Sequence, residues 1–171
     1  EGFYDNKFGT VGYETKLGIF EITTMRKEGI YKDHRRPSEV SWTDKIEEDL
    51  KRRDFTINAI ALSADNQIVD PFRGQDDIKN KIIKSVGDPS SRFKEDALRL
   101  IRAIRFVAEL EFDIDQKTYS AISANTDLIK EIASERISDE LFKILASTNP
   151  YIGIVKLKET GILQIILPEL E

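Results

Sequence analysis

The chain has 171 residues, with 26 Lys and Arg against 31 Asp and Glu, one His and no Cys, for a formal charge of −5. That length permits one domain, or two small ones sharing a face, and a core that needs no disulfide or structural metal. The lack of Cys excludes a disulfide scaffold, a thiolate zinc site and a Cys nucleophile, and a single His excludes a His-rich metal centre.

No apolar run approaches the roughly 18 residues of a membrane span, and no signal peptide opens the sequence, so the expected compartment is the cytoplasm. Glu1 is not an initiator methionine, and the chain is expected to begin inside a longer protein. Residues 1–105 are nearly neutral, and the acidic excess lies in 106–171. The acidic total argues against bulk nucleic-acid binding, but a basic stripe in the first two thirds remains open.

In chain order, residues 10–13 and 18–24 read as strands, joined by a hairpin connection at 15–18. A polar stretch follows to 38. Residues 44–53 read as a short helix, with Ile46 and Leu50 four apart among charges. Residues 57–62 and 67–70 read as two strands across a turn at 64–66. A helical turn is expected at 76–81, and the breaker cluster at 87–91 is the expected domain boundary. A strong helix is expected over 92–110, and further helices at 116–124, 126–132, 138–146 and 150–160. Ser134 and Ser138 are candidate N-caps, and Gly161 is a candidate helix stop. The fold class is therefore α+β: an α/β head over 1–87 followed by an all-helical part over 88–171.

Three constellations carry chemistry. Glu21 lies between Phe20 and Ile22; with those two on the core, alternation turns Glu21 to the other side of the sheet. It is either a solvated strand residue or a carboxylate of the kind that holds Mg²⁺ in two-metal phosphoryl transfer, for which Glu14 on the facing strand is the one available neighbour. The second is Asp49-Leu-Lys-Arg-Arg-Asp-Phe-Thr-Ile-Asn58. It is either a charged helix end or a pair of guanidinium groups placed at a sheet edge, where their planar forks suit phosphate and ribose. The third runs from Glu95 to Arg105. On a continuous helix, Glu95, Arg99 and Arg102 share an arc of about 60°, with Asp96 and Arg105 on its flanks. Ala97, Ile101, Ile104 and Ala108 form the opposite, apolar stripe. The polar face is either a solvated one with Glu95–Arg99 pairing or a recognition surface. His34 reads as exposed and Trp42 as core, as do Phe106, Val107 and Leu110. Arg136 reads as a structural ion-pair residue.

Together these stretches resemble the class II tRNA nucleotidyltransferases, the bacterial-type CCA-adding enzymes, whose family includes bacterial poly(A) polymerases. The matching segments are Lys7-Phe-Gly-Thr-Val11, Phe20-Glu-Ile-Thr-Thr-Met-Arg26, Tyr31-Lys-Asp-His-Arg-Arg-Pro37, the 49–58 motif, Asp70-Pro-Phe-Arg-Gly-Gln-Asp-Asp-Ile78, Glu95-Asp-Ala-Leu-Arg99 and the 134–145 neck segment. The family's Gly-rich loop and Asp-x-Asp pair are not in this sequence and are expected upstream of Glu1. The family's tRNA-holding body and tail domains are expected beyond Pro168.

The resemblance implies a partial nucleotidyltransferase-like mixed-sheet head and a helical neck. It also implies template-independent addition of C and A, from CTP and ATP, to the tRNA 3′ end, with Mg²⁺ as cofactor. Glu21 would be a supporting catalytic and metal-binding carboxylate. Arg53, Asp54, Asn58, Glu95, Asp96, Arg99, Arg102 and Arg105 would bind nucleotide: Arg53 at the triphosphate or ribose, with Asp54 fixing its guanidinium, and Arg102 and Arg105 toward the triphosphate and primer end. Arg52 could instead be structural. Asp96 would accept from the amino group of C or A, and Arg99 would donate to the adjacent ring nitrogen; U and G invert that pair. The resemblance leaves open an A-adding enzyme, a poly(A) polymerase, or a non-catalytic nucleotide- or RNA-binding piece. The 31–37 loop, shortened in CC-adding relatives, is intact and counts against CC-only activity.

Overall fold

The computed structural model describes the backbone of residues 2–5 and all of residues 9–29 and 40–170. Lys7, Phe8, His34 and the 31–37 stretch lie outside the described residues. Strands β1 (Gly2–Asp5), β2 (Thr10–Thr15) and β3 (Gly18–Thr23) form one antiparallel sheet in that order. A two-residue turn closes the β2–β3 hairpin. Its Thr15 hydroxyl accepts from the Leu17 N–H at 3.1 Å and donates to the Gly18 carbonyl at 2.9 Å. Gly18 takes φ +127, which side-chain-bearing residues rarely adopt. The register sets Tyr13 against Phe20 and Val11 against Ile22, which gathers apolar residues on one face. Phe20 is 52% and Ile22 67% exposed, so the condition that they lie on the core is not met among the described residues. Alternation decides which residues share a face; it does not supply something to cover it.

β4 (Arg26–Glu28) pairs antiparallel with β5 (Val40–Trp42), and α1 (Ile46–Lys51) packs beside β4. Trp42, expected in the core, is 53% exposed. The strand expected over 57–62 is a 3₁₀ turn, Thr56–Asn58, followed by a two-residue strand β6 (Ala61–Leu62) paired with β7 (Ile68–Val69). Side chains bend the backbone there. One Asp54 oxygen accepts from the Phe55 N–H and the Asn58 amide, and the Thr56 hydroxyl bonds Asp77 at 2.7 Å. α2 (Gly74–Asn80) starts where Asp70 accepts from the N–H groups of Gly74 and Gln75, at 2.7 and 2.9 Å.

β8 (Ile82–Ile83) runs parallel to β9 (Asp113–Ile114). The helix expected over 92–110 is two helices, α3 (Pro89–Glu95) and α4 (Leu98–Leu110). The break is made by Asp96, which is extended at φ −141 and ψ 104, and whose carboxylate accepts from the Leu98 N–H at 3.2 Å. A short acceptor side chain competes there with the helical ladder. α5 (Gln116–Ala124) falls where the sequence placed it, and the next expected helix is a 3₁₀ turn, Thr126–Glu131. α6 (Ser134–Leu145) begins four residues earlier than expected and is capped by neither Ser134 nor Ser138. α7 (Pro150–Glu159) stops before Gly161, at φ +79, and α8 (Ile162–Ile166) follows.

The predicted apolar stripe of α4 is the spine of the larger core. Ala97, Ile101, Ile104 and Ala108 are fully buried against Ile122, Ile144, Leu157 and Ile162. Each fully buried Ile contributes about 2–3 kcal/mol of transfer free energy. Phe55 and Ile83 belong to the same core, so it extends across residue 87. Leu110, expected inside, is 42% exposed, and Phe106 is only partly buried. Among the described residues, no helix is long and apolar enough to cross a membrane.

Candidate nucleotide-binding cleft

The end of α1 and the α3–α4 break face each other across a cleft of about 470 Å³. That volume suits a small-molecule ligand. Arg52, Arg53, Asp54 and Asn58 line one side, and Asp96, Arg99, Arg102 and Phe106 the other. Two of the three sequence constellations therefore converge on one site.

Buried Asp49 anchors the first side. Its Oδ1 accepts from Arg52 at 2.6 and 2.9 Å and its Oδ2 from Arg53 at 3.1 Å. Burial alone would raise the Asp49 carboxyl; Arg52, Arg53 and the Arg26 N–H outweigh it and hold it below the usual range. Arg52 also bonds Glu28 at 3.3 Å, so it is a structural cation at the cleft wall. The Arg53 side chain is 45% exposed, pairs with Asp49 among the described residues, and lines the cleft.

Asp54 does not fix Arg53, as expected from the sequence; it takes Arg102. Arg102 Nε and Nη2 both donate to Asp54 Oδ2, at 2.9 and 2.5 Å. Burial pushes the Asp54 carboxyl up, but the charge and hydrogen bonds of Arg102, with those of Asn58 and the Phe55 N–H, bring it below the usual range. The Arg102 guanidinium also lies 5.5 Å from the Phe106 ring centroid.

Arg99 ties the two sides together. Its Nη1 donates to the Arg92 carbonyl at 3.1 Å and to Glu95 at 2.9 Å, and its Nη2 to the Arg52 carbonyl at 3.0 Å. Arg99 is nearly buried and lines the cleft. Glu95, expected to bind nucleotide, lies outside this cleft; it grips Arg99 and also Arg92, at 2.6 Å. Asp96, freed from helical geometry, turns its carboxylate to the cleft beside Arg99. The site thus sets an acceptor next to a buried donor, with an exposed guanidinium and an aromatic ring close by.

The Poly A polymerase head domain family matches residues 2–84, and the family described as the probable RNA and SrmB-binding site of polymerase A matches residues 111–171. The chain belongs to the poly(A) polymerase family. It is similar to the CCA-adding enzyme of Lactobacillus helveticus, 53% identical over 73% of this chain and 31% of that protein. Its fold is similar to the crystal structure of the Bacillus stearothermophilus CCA-adding enzyme in complex with CTP, with a TM-score of 0.82 and 40% identity over 91% of this chain and 37% of that one. It is also similar to a tRNA nucleotidyltransferase complexed with a primer tRNA and an incoming ATP analog, with a TM-score of 0.79 and 29% identity over 98% of this chain and 47% of that one. The chain spans about a third of the length of the Lactobacillus relative.

Besides Glu95, two residues expected at the site of this family member lie elsewhere. Arg105 does not line the cleft. It forms ion pairs with buried Glu140 of α6 at 3.1 Å and with Glu109 at 3.5 Å, and its guanidinium lies 4.6 Å from the Phe106 centroid. The one-turn offset from Arg102 rotates it onto the helix–helix seam. Glu21 stands exposed on β3, outside the cleft lining. Glu14 is its diagonal neighbour on the same face, because Glu21 opposes Gly12. Among the described residues, no three His, Cys, Asp or Glu side chains converge to hold a metal ion. The residues described therefore do not fit a Mg²⁺ site by themselves.

Sequence reasoning missed two participants. Phe106, expected in the core, packs against it while only partly buried and also forms cleft wall. Arg136 was read as a structural ion-pair residue; it does pair, and its partner is Asp96, at 3.3 Å. No local pattern could name a partner 40 residues away.

Proposed function

We propose that the protein containing this chain adds C and A nucleotides, from CTP and ATP, to the 3′ end of tRNA without a nucleic-acid template. The observation that carries this reading is the Asp96–Arg99 juxtaposition at the cleft. Asp96 accepts only and Arg99 donates only. Cytosine and adenine each offer an amino donor beside a ring-nitrogen acceptor and satisfy both; uracil and guanine oppose both. A site built for one hydrogen-bond pattern rejects its inverse by orders of magnitude, because the mismatch leaves buried polar groups unpaired.

The other wall serves the phosphates. Arg53 offers an exposed fork for the triphosphate, and Arg102, held by Asp54, supplies positive charge at the same side. Asn58 fixes Asp54 from behind. The chain's part is to bind, orient and select. Glu21, exposed on β3 outside the cleft lining, is proposed as a supporting carboxylate of the transfer. The reading is supported by the chain's similarity to CCA-adding enzymes, one of them in complex with CTP, and to a tRNA nucleotidyltransferase complexed with a primer tRNA and an incoming ATP analog.

The test supplies the full-length protein with tRNA ending before CCA, after C, or after CC, and with CTP or ATP alone. Extension by C on the first two substrates and by A on the third is expected. Extension by A alone would identify an A-adding enzyme, and open-ended A tracts a poly(A) polymerase. No extension, with CTP still bound, would leave a nucleotide-binding protein.

A further inference from the structure

We infer that Arg136, on the first turn of α6, is a positioning residue that sets base selectivity by orienting the Asp96 carboxylate. This rests on the reading of Asp96 as the base-reading acceptor. Asp96 belongs to neither α3 nor α4, so no helix fixes its side chain. Among the described residues its carboxylate has two donors: the Leu98 N–H on Oδ1 at 3.2 Å, and Arg136 Nη2, which sits between the oxygens at 3.3 and 3.4 Å.

The first donor pins one oxygen and leaves the plane of the carboxylate free to rotate about it. The second spans both oxygens and removes that rotation. Both Arg136 contacts are longer than the 2.7–2.9 Å usual for charge-assisted bonds, so the oxygens keep acceptor capacity for a ligand amino group. Two faces of α6 contacts do different work. Arg136 reaches the hinge between α3 and α4, whereas Glu140, one turn on, pairs with Arg105 in the α4–α6 seam. Stability and selectivity are therefore separable on one helix.

A carboxylate free to turn loses its grip on the amino group of cytosine. It also ceases to confront the carbonyl that uracil presents in the same place. CTP affinity falls and UTP affinity rises, and both changes erode the ratio. A purely structural role would weaken both nucleotides alike.

Equilibrium dissociation constants for CTP and UTP, measured on the full-length protein, test this, together with thermal melts. Arg136→Gln is expected to lower the CTP/UTP affinity ratio at least about tenfold, and Arg136→Lys to restore it to within about threefold, since Lys keeps the charge without the fork. Glu140→Gln is expected to lower the melting temperature while keeping the ratio. Should Arg136→Gln fail to fold, Arg136→Lys and Glu140→Gln still decide: a ratio that follows the melting temperature in both overturns the assignment. Asp96→Ala separates the two levels. If it collapses the ratio and Arg136→Gln does not, the Arg136 inference fails and the reading of Asp96 stands. If Asp96→Ala leaves the ratio intact, both fail.

Discussion

Arg102 and Asp54 lie 48 residues apart in sequence and share one charge-assisted pair at the cleft, through Nε and Nη2 to a single carboxylate oxygen. Asp54 is buried and has Asn58 and the Phe55 N–H on its other oxygen. The pair joins the end of the α1 segment to α4, so the two walls of the cleft are held by the groups that line it. Removing one partner strands the other.

Asp54→Asn is therefore expected to cost about 2–4 kcal/mol, because it leaves the Arg102 charge partly buried and unpaired. The effect depends on pH in a defined direction. The folded Asp54 carboxyl titrates below its ordinary value, burial being outweighed by Arg102. A carboxyl with a lowered folded-state pKa stabilises the fold above its unfolded value of about 4 and loses that contribution as the pH falls through the folded value. Urea denaturation between pH 7 and pH 2 should show a shallower acid decline for Asp54→Asn than for the parent. Parallel curves would remove Asp54 from the account of acid stability.

Arg53 separates phosphate binding from folding. Its half-exposed side chain has one ion pair, with Asp49, so Arg53→Ala should change stability by no more than about 1 kcal/mol. CTP affinity should fall about tenfold, the equivalent of one charge-assisted contact. Cytidine, which lacks phosphates, should bind both proteins alike. An equal loss for cytidine and CTP would place Arg53 away from the triphosphate.

Arg99→Lys tests the donor side of base selection. Lys keeps the charge but cannot reach the Arg92 carbonyl, Glu95 and the Arg52 carbonyl together. Stability should drop by about 2 kcal/mol as those buried acceptors lose donors. Preference for CTP and ATP over UTP and GTP should fall along with it. Intact selectivity in a folded Arg99→Lys protein is the outcome that would sink the hydrogen-bond template.

Gly74 reports on the turn behind the cleft. A Cβ there would lie 2.1 Å from the Thr56 carbonyl oxygen and 2.8 Å from its carbon, and backbone cannot step aside as a flexible side chain does. Gly74→Ala should destabilise by about 2–3 kcal/mol. It should also weaken CTP binding, because the 3₁₀ turn it displaces carries Asn58. A neutral melting temperature would mean that α2 can shift without cost.

Glu21 is proposed as a supporting carboxylate, and its exposed position makes a clean test. Glu21→Gln should leave stability within about 0.5 kcal/mol, as surface substitutions do. CTP affinity should stay unchanged while turnover by the full-length protein falls. Matching losses in affinity and turnover would show that Glu21 acts elsewhere.

The sequence by itself determined what local rules govern. The 3.6-residue period placed Ile101, Ile104 and Ala108 on the buried stripe of α4, with Ala97 at its N-cap, since an apolar stripe has to leave water. Alternation and turn chemistry placed the β2–β3 hairpin, and the residue types named the chemistry of the cleft. Tertiary structure decided the partners. Whether Arg105 meets a ligand or Glu140, whether Asp54 holds Arg53 or Arg102, and whether Phe20 meets a core or solvent all depend on which surfaces meet, and packing sets that. The break at Asp96 belongs to both levels. An Asp can leave a helix to cap Leu98, but only Arg136, brought in on α6, makes its carboxylate point one way.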